Sequence, residues 1–222
     1  MIKAILYDMD GTVLDTMPLY EHGWAVADEA FGFGGRIAAL VPQIAGMNSR
    51  DSGEFVRAQI GEAFDYAAFR KIINDTLESD IAAQGIKCKK GAPEIFDTIR
   101  KMGIKQILAT SSTPRHVLPY LKLAGIENAF DGMVTGDLVK KSKPDPEIFL
   151  LGAALAGCSP EECVVIEDAA NGVRAGVAAG MKTIMIPQYT PIPDDLRTIL
   201  WHECRDLSEI AGLVGEDAIS AR

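Results

Sequence analysis

IKAILYDMDGT, residues 2–12, is a short apolar, strand-favouring run broken off abruptly by acid. Residues 2–7 read as a buried strand that ends at Asp8. Three further runs repeat the pattern. The run at 107–109 ends at Thr110 and Ser111, that at 163–166 ends at Glu167 and Asp168, and that at 183–186 ends at Pro187. Helical patterns lie between them. Residues 93–102 open with Pro and close at Gly103, 114–123 close near Gly125, 146–156 at Gly157 and 169–179 at Gly180. Strands alternating with helices of about ten residues predict a parallel sheet with right-handed crossovers. Ligands of such sheets bind outside the carboxyl ends of the strands. Three of the four strands end there in residues suited to phosphate or metal.

Residues 16–86 break this rhythm. Their apolar positions (Leu19, Trp24, Val26, Phe55, Ile60, Phe64, Phe69, Ile72, Ile73 and Leu77) follow a helical pattern, with no convincing strand. An interval of about seventy residues is far beyond an ordinary connection. The expected organisation is therefore α/β: a Rossmann-like parallel sheet core from residues 1–15 and 87–222, with an inserted α-helical cap at 16–86. The Phe31-Gly32-Phe33-Gly34-Gly35 turn follows no strand and lacks the dinucleotide spacing. After Pro187 the pattern predicts a helix over 193–201, a short edge segment and a terminal helix from about Leu207.

The 222 residues suffice for one large domain, or for a medium one with an insertion. The formal net charge of −9 argues against nucleic acid and anionic lipid as partners. It leaves room for a small phosphorylated metabolite, because a local cation dominates a small site. The opening residues do not read as a signal peptide, and no apolar stretch approaches the roughly 20 residues of a membrane span, so a cytoplasmic protein is expected. Cys88, Cys158, Cys163 and Cys204 form no C-x-x-C pair and read as free thiols. Oligomeric state, monomer or dimer, stays open.

Asp8 and Asp10 are two apart on an extended segment, so both carboxylates can face one site. One could be a nucleophile and the other an acid/base or a metal ligand; a polar turn with an Asx cap is the plainer alternative. Glu167 and Asp168 bring two more acids to the same sheet edge, unless they only cap the following helix. Like charges about 4 Å apart repel by about 4 kcal/mol at an effective dielectric of about 20. Such a cluster calls for a cation, and an all-oxygen set with room for water and phosphate suits Mg²⁺. Thr110, Ser111 and Ser112 place hydroxyls at a strand-to-helix turn, where helix amides add to a phosphate cradle. Lys143, flanked by Ser142 and Pro144, is a candidate point charge for phosphate.

The segments D-M-D-G-T-V-L-D-T, T-S-S, S-K-P-D-P-E-I-F and V-V-I-E-D-A-x-N-G-V resemble, in order, the four motifs of the haloacid dehalogenase-like superfamily. The match is closest to its phosphatase and β-phosphoglucomutase branch, and the helical insert resembles that branch's cap. The resemblance implies that Asp8 forms an aspartyl-phosphate and that Asp10 protonates the leaving oxygen and then activates water. It implies Mg²⁺ held by Asp8, the Asp10 carbonyl and Asp168, with Glu167 as a water-mediated or outer partner. Thr110 would bond the phosphoryl group and Lys143 would neutralise its charge. Asp15 and Thr16 fall where core hands over to cap, and cap motion there would admit water between steps.

Arg50, after Gly46-Met47-Asn48-Ser49, is a candidate for a second phosphate or a sugar hydroxyl, in a segment one residue longer than that of similar mutases. Those mutases also carry a His five residues after the Asp at the position of Asp15, where this chain has Tyr20 and its nearest histidine is His22. The expected function is a Mg²⁺-dependent phosphatase of a sugar phosphate or related phosphomonoester. A sugar phosphomutase is the alternative. A non-catalytic phosphometabolite-binding protein is disfavoured because Asp8, Asp10, Lys143 and Asp168 are all present.

Overall fold

The protein is described by a computed structural model covering residues 1–188 and 192–220. Within those residues one six-stranded, wholly parallel sheet forms from β1 (Ala4–Tyr7), β2 (Lys105–Ala109), β3 (Gly132–Val134), β4 (Cys163–Glu167), β5 (Lys182–Met185) and β6 (His202–Glu203). Their order across the sheet is β3-β2-β1-β4-β5-β6. The chain leaves β1 toward β2 on one side and later returns to β4 on the other. The crevice beyond the ends of β1 and β4 is thus the topological switch point of the sheet, where ligands bind in folds of this kind.

All of β1 is buried because helices cover both faces of the sheet. Alternate side chains serve opposite layers. Ile5 and Tyr7 pack with Phe96, Ile99, Val117 and Leu121. Ala4 and Leu6 pack with Ile107, Phe149, Ala153 and Val165 on the other face.

Between β1 and β2 lie four helices, α1 (Met17–Ala30), α2 (Val41–Ile44), α3 (Ser49–Ile60) and α4 (Tyr66–Gln84), followed by α5 (Glu94–Lys101) on the sheet. The first four share a core of their own, built on Trp24, Ala27, Ile37, Val56, Phe69 and Ile73. Trp24 meets Phe69 edge to face with ring centroids 5.4 Å apart. The segments entering and leaving this helical layer run side by side, Asp15 N–H bonding Lys87 O at 2.8 Å and Lys89 N–H bonding Val13 O at 2.8 Å.

The remaining helices are α6 (Pro114–Leu123), α7 (Glu147–Ala156), α8 (Ala170–Ala178), α9 (Asp194–Arg197) and α10 (Ile210–Ser220). The expected helix over 193–201 is cut short. Trp201 N–H instead bonds Thr183 O and Cys204 N–H bonds Met185 O, so the chain after Leu196 turns to lie along the edge of β5. Residues 189–191 and 221–222 of the expected final segment lie outside the described residues. β3, three residues long and only partly buried, carries too little pattern to be read from sequence. No helix among the described residues is long and apolar enough to cross a membrane.

α8 starts against β4 at Gly172, where an added Cβ would lie 1.9 Å from the Glu167 carboxyl carbon. Glu167 is fully buried and cannot retreat. Gly172→Ala is expected to destabilise the fold by about 2 kcal/mol or more. A thermal melt should register a Tm fall of about 4 °C or more, and an unchanged Tm would show that α8 can slide away at no cost.

Candidate active site

Parallel pairing sets Tyr7 beside Ile166 and Leu108, so the next residue of each strand, Asp8, Glu167 and Ala109, falls at the same sheet edge. Asp8 N–H still bonds Ile166 O at 3.0 Å, which fixes its backbone as the chain departs. Lys143 reaches this edge from the segment before α7. Its ammonium donates to Asp8 Oδ1 at 2.5 Å, Glu167 Oε1 at 2.5 Å and Ala109 O at 3.1 Å. All three of its protons are thereby used, and its side chain is 0% exposed. Burial opposes its charge, but Asp8 and Glu167 together hold its pKa above the ordinary lysine value. Burial also pushes the carboxyls of Asp8 and Glu167 up against the pull of Lys143, Glu167 to about 7.

Asp168 is pushed well up by burial and by the charges of Glu167 and Asp8. Thr12 Oγ1 donates to it at 3.2 Å. Its approach needs a residue without a Cβ at Gly11, where one would sit 2.1 Å from Asp168 Oδ2 at a φ of +84°. Oxygens of Asp8, Glu167 and Asp168 all lie within 4.8 Å of one another, and all three residues are buried. Three carboxylates confront one ammonium there. That excess of buried negative charge, presented by oxygen alone, fits a hard divalent cation such as Mg²⁺.

Asp10 is held differently. It accepts hydrogen bonds from Thr16 Oγ1 at 2.8 Å and Ser112 Oγ at 2.7 Å. Burial, then the charge of Asp8, raises its carboxyl to about 6, against the pull of those hydroxyls. Of the hydroxyl cluster, Ser112 thus serves Asp10, and Ser111 Oγ donates to Gly46 O at 2.6 Å. Thr110 accepts from Ser112 N–H at 3.1 Å and faces the cavity.

Asp8, Asp10, Thr110, Ser111, Ser112 and Asp168 line one cavity of about 460 Å³. Lys143 and Glu167 lie behind its wall. The helical layer closes over it through several contacts. Asn171 Nδ2 donates to Gln43 O and Ala45 O, both at 2.9 Å. Asp51 accepts from the Ser142 N–H at 3.1 Å and from the Ser142 hydroxyl. Arg50 stands at the rim, its guanidinium on Lys140 O at 2.5 Å and on Asp51 at 2.8 Å. These bonds take up two of the five N–H donors of the group that the sequence marks for a phosphate or hydroxyl, and Arg50 lines the cavity.

Tyr20, Arg70, Asn74 and His116 also line the cavity. Sequence reasoning did not single out Arg70 or Asn74. The only available signal was their spacing of four along one helix, which many solvated pairs share. His22, by contrast, is paired with Asp80 at 2.7 Å and is not part of the lining.

A family model described as haloacid dehalogenase-like hydrolase matches residues 2–180. Hexitol phosphatase A of Escherichia coli is 33% identical over 200 residues, covering 89% of this chain and 90% of that protein. The phosphorylated carbohydrates phosphatase of Thermotoga maritima is 32% identical over 183 residues, covering 82% and 84%. A solved structure from Thermotoga maritima assigned as a beta-phosphoglucomutase aligns with a TM-score of 0.73 at 28% identity, covering 97% of this chain and 99% of that one.

Proposed function

The chain belongs to the haloacid dehalogenase-like hydrolase family and is a phosphoric monoester hydrolase, and from that premise we propose that it dephosphorylates a sugar or polyol phosphate through an aspartyl-phosphate on Asp8. The observation that carries this reading is the pairing of Asp8 with Lys143 at the switch point, two residues from a carboxyl raised to about 6.

In the first step an Asp8 oxygen forms a bond to phosphorus as the bond from phosphorus to the ester oxygen breaks. Asp10 gives its proton to the departing oxygen. In the second, Asp10, now a carboxylate, takes a proton from the water that attacks the phosphoryl group, releasing phosphate and restoring Asp8. A carboxyl near 6 exists in both forms close to neutrality, as this alternation demands. Lys143 offsets charge on Asp8 and the phosphoryl oxygens, and Thr110 donates to them. Phosphoryl transfer depends on such positioning and neutralisation. Asp8, Asp168 and the Asp10 carbonyl would hold Mg²⁺, with Glu167 behind them. When bound, Mg²⁺ supplies further neutralisation of the phosphoryl group and of the crowded carboxylates. We read residues 16–86 as the cap and the remainder as the core.

A mutase reading draws support from the likeness to the assigned beta-phosphoglucomutase. Against it, the cavity presents Tyr20 where similar mutases carry a His, and His22 is engaged with Asp80. Phosphate release from a panel of hexose and hexitol phosphates, phosphoglycolate and nucleotides, with Mg²⁺ and with EDTA, tests the proposal. Release in Mg²⁺ that falls to background in EDTA is expected. Interconversion of hexose phosphates on adding a bisphosphate, with little free phosphate, would transfer the assignment to a mutase.

A further inference from the structure

We propose that Arg70 and Asn74, one turn apart on α4, form a subsite that reads a substrate hydroxyl remote from the phosphoryl group, selecting polyhydroxylated phosphomonoesters; this rests on the phosphatase reading above. Both residues line the cavity that holds Asp8 and Asp10. Both also line a second hollow at the junction of helical layer and core, beside Arg57, Lys71 and Arg115. They therefore stand where the two hollows meet.

Asn74 Oδ1 is buried and has no hydrogen-bond partner. Buried polar side-chain atoms are nearly always paired, so this one calls for an explanation. A carboxamide carries both donors and an acceptor, as a hydroxyl does, so the two match whichever way the amide is turned. Arg70 lies 5.9 Å from the centre of the Tyr20 ring, and no carboxylate among the described residues is within ion-pair distance of it. Contact with an aromatic face orients the guanidinium while leaving its in-plane N–H donors for a ligand. One hydroxyl can donate to Asn74 and accept from Arg70 at once.

A second anionic group suits the place less well. Asp8, Asp10, Asp137 and Asp168 line the same cavity. Much of the roof over this space is apolar, from Met17, Trp24, Ile44 and Met47. A hydroxyl entering beneath it loses water, and the α4 pair supplies replacement partners.

The test compares sorbitol 6-phosphate with acetyl phosphate, which has no hydroxyl chain. Asn74→Leu keeps the volume and removes the polar atoms; Arg70→Met keeps the stem and removes the donors. The ratio of kcat/KM for sorbitol 6-phosphate to that for acetyl phosphate is expected to fall about tenfold or more in each variant, mainly through KM. A merely structural effect lowers both rates together and leaves the ratio in place, and that result overturns the subsite. So does a wild-type enzyme that hydrolyses acetyl phosphate in Mg²⁺ but no hexose or hexitol phosphate. A wild-type enzyme that releases phosphate from neither substrate overturns the phosphatase reading instead.

Discussion

Asp8→Asn is expected to lower phosphate release by about 10⁴-fold or more, as loss of a catalytic nucleophile does, while the protein keeps its fold. An amide nitrogen or carbonyl oxygen cannot replace a carboxylate as the atom that bonds to phosphorus. The fold tolerates the change because the side chain keeps its shape and Lys143 retains Glu167 at 2.5 Å and Ala109 O at 3.1 Å. One of the three buried carboxylates is also neutralised, which eases their mutual repulsion. Activity and a thermal melt on the same preparation separate the two effects. Near-normal turnover by a folded Asp8→Asn protein would exclude Asp8 as the nucleophile.

Lys143→Met should damage stability as well as rate. Asp8 and Glu167 would both remain buried with their shared cation gone. Breaking a buried pair from one side costs about 3–5 kcal/mol, because an uncompensated charge stays behind. For a chain of this size that is a Tm fall of roughly 6–20 °C. The loss should depend on pH. Glu167 has its folded pKa raised from 4.5 to about 7, so its ionisation costs stability as pH rises through that value. Without Lys143 both carboxyls shift further up. Measured in EDTA, the Tm deficit of the variant should therefore be larger at pH 8 than at pH 5.5, where the carboxyls bind protons instead. A deficit that does not change with pH would mean that lost packing against Phe149, whose ring lies 5.0 Å from the ammonium, dominates.

Asp8 and Asp10, and Glu167 and Asp168, were legible because each pair follows directly from an apolar strand. A strand end is a local event, and in a parallel sheet all such ends that carry ligand groups meet at one edge. The helical character of the insert was legible from its spacing, and helices occupy 17–84. Arg50 shows the limit of that reading. Its place beside a Gly-containing turn marked it for ligand, and it does line the cavity, but two of its five N–H donors are held by Lys140 O and Asp51, ninety residues and one residue away. Ser111 likewise serves the Gly46 carbonyl, a partner invisible to any local pattern.

The alternation of strand and helix, the acids at the strand ends and the long helical interruption after β1 are written locally in the chain. These follow from spacing, chain direction and backbone preference over a few residues. The tertiary fold was needed for Lys143 to bridge Asp8 and Glu167, 135 and 24 residues away, and for α9 to stop early so that Trp201 pairs with β5. It also decided which turn of α4 faces the cavity, bringing Arg70 and Asn74 over the carboxylates. A helix's periodicity shows that it has a buried face. Which polar residues beside that face end at solvent and which end at a ligand depends on how the helix sits against the rest of the chain.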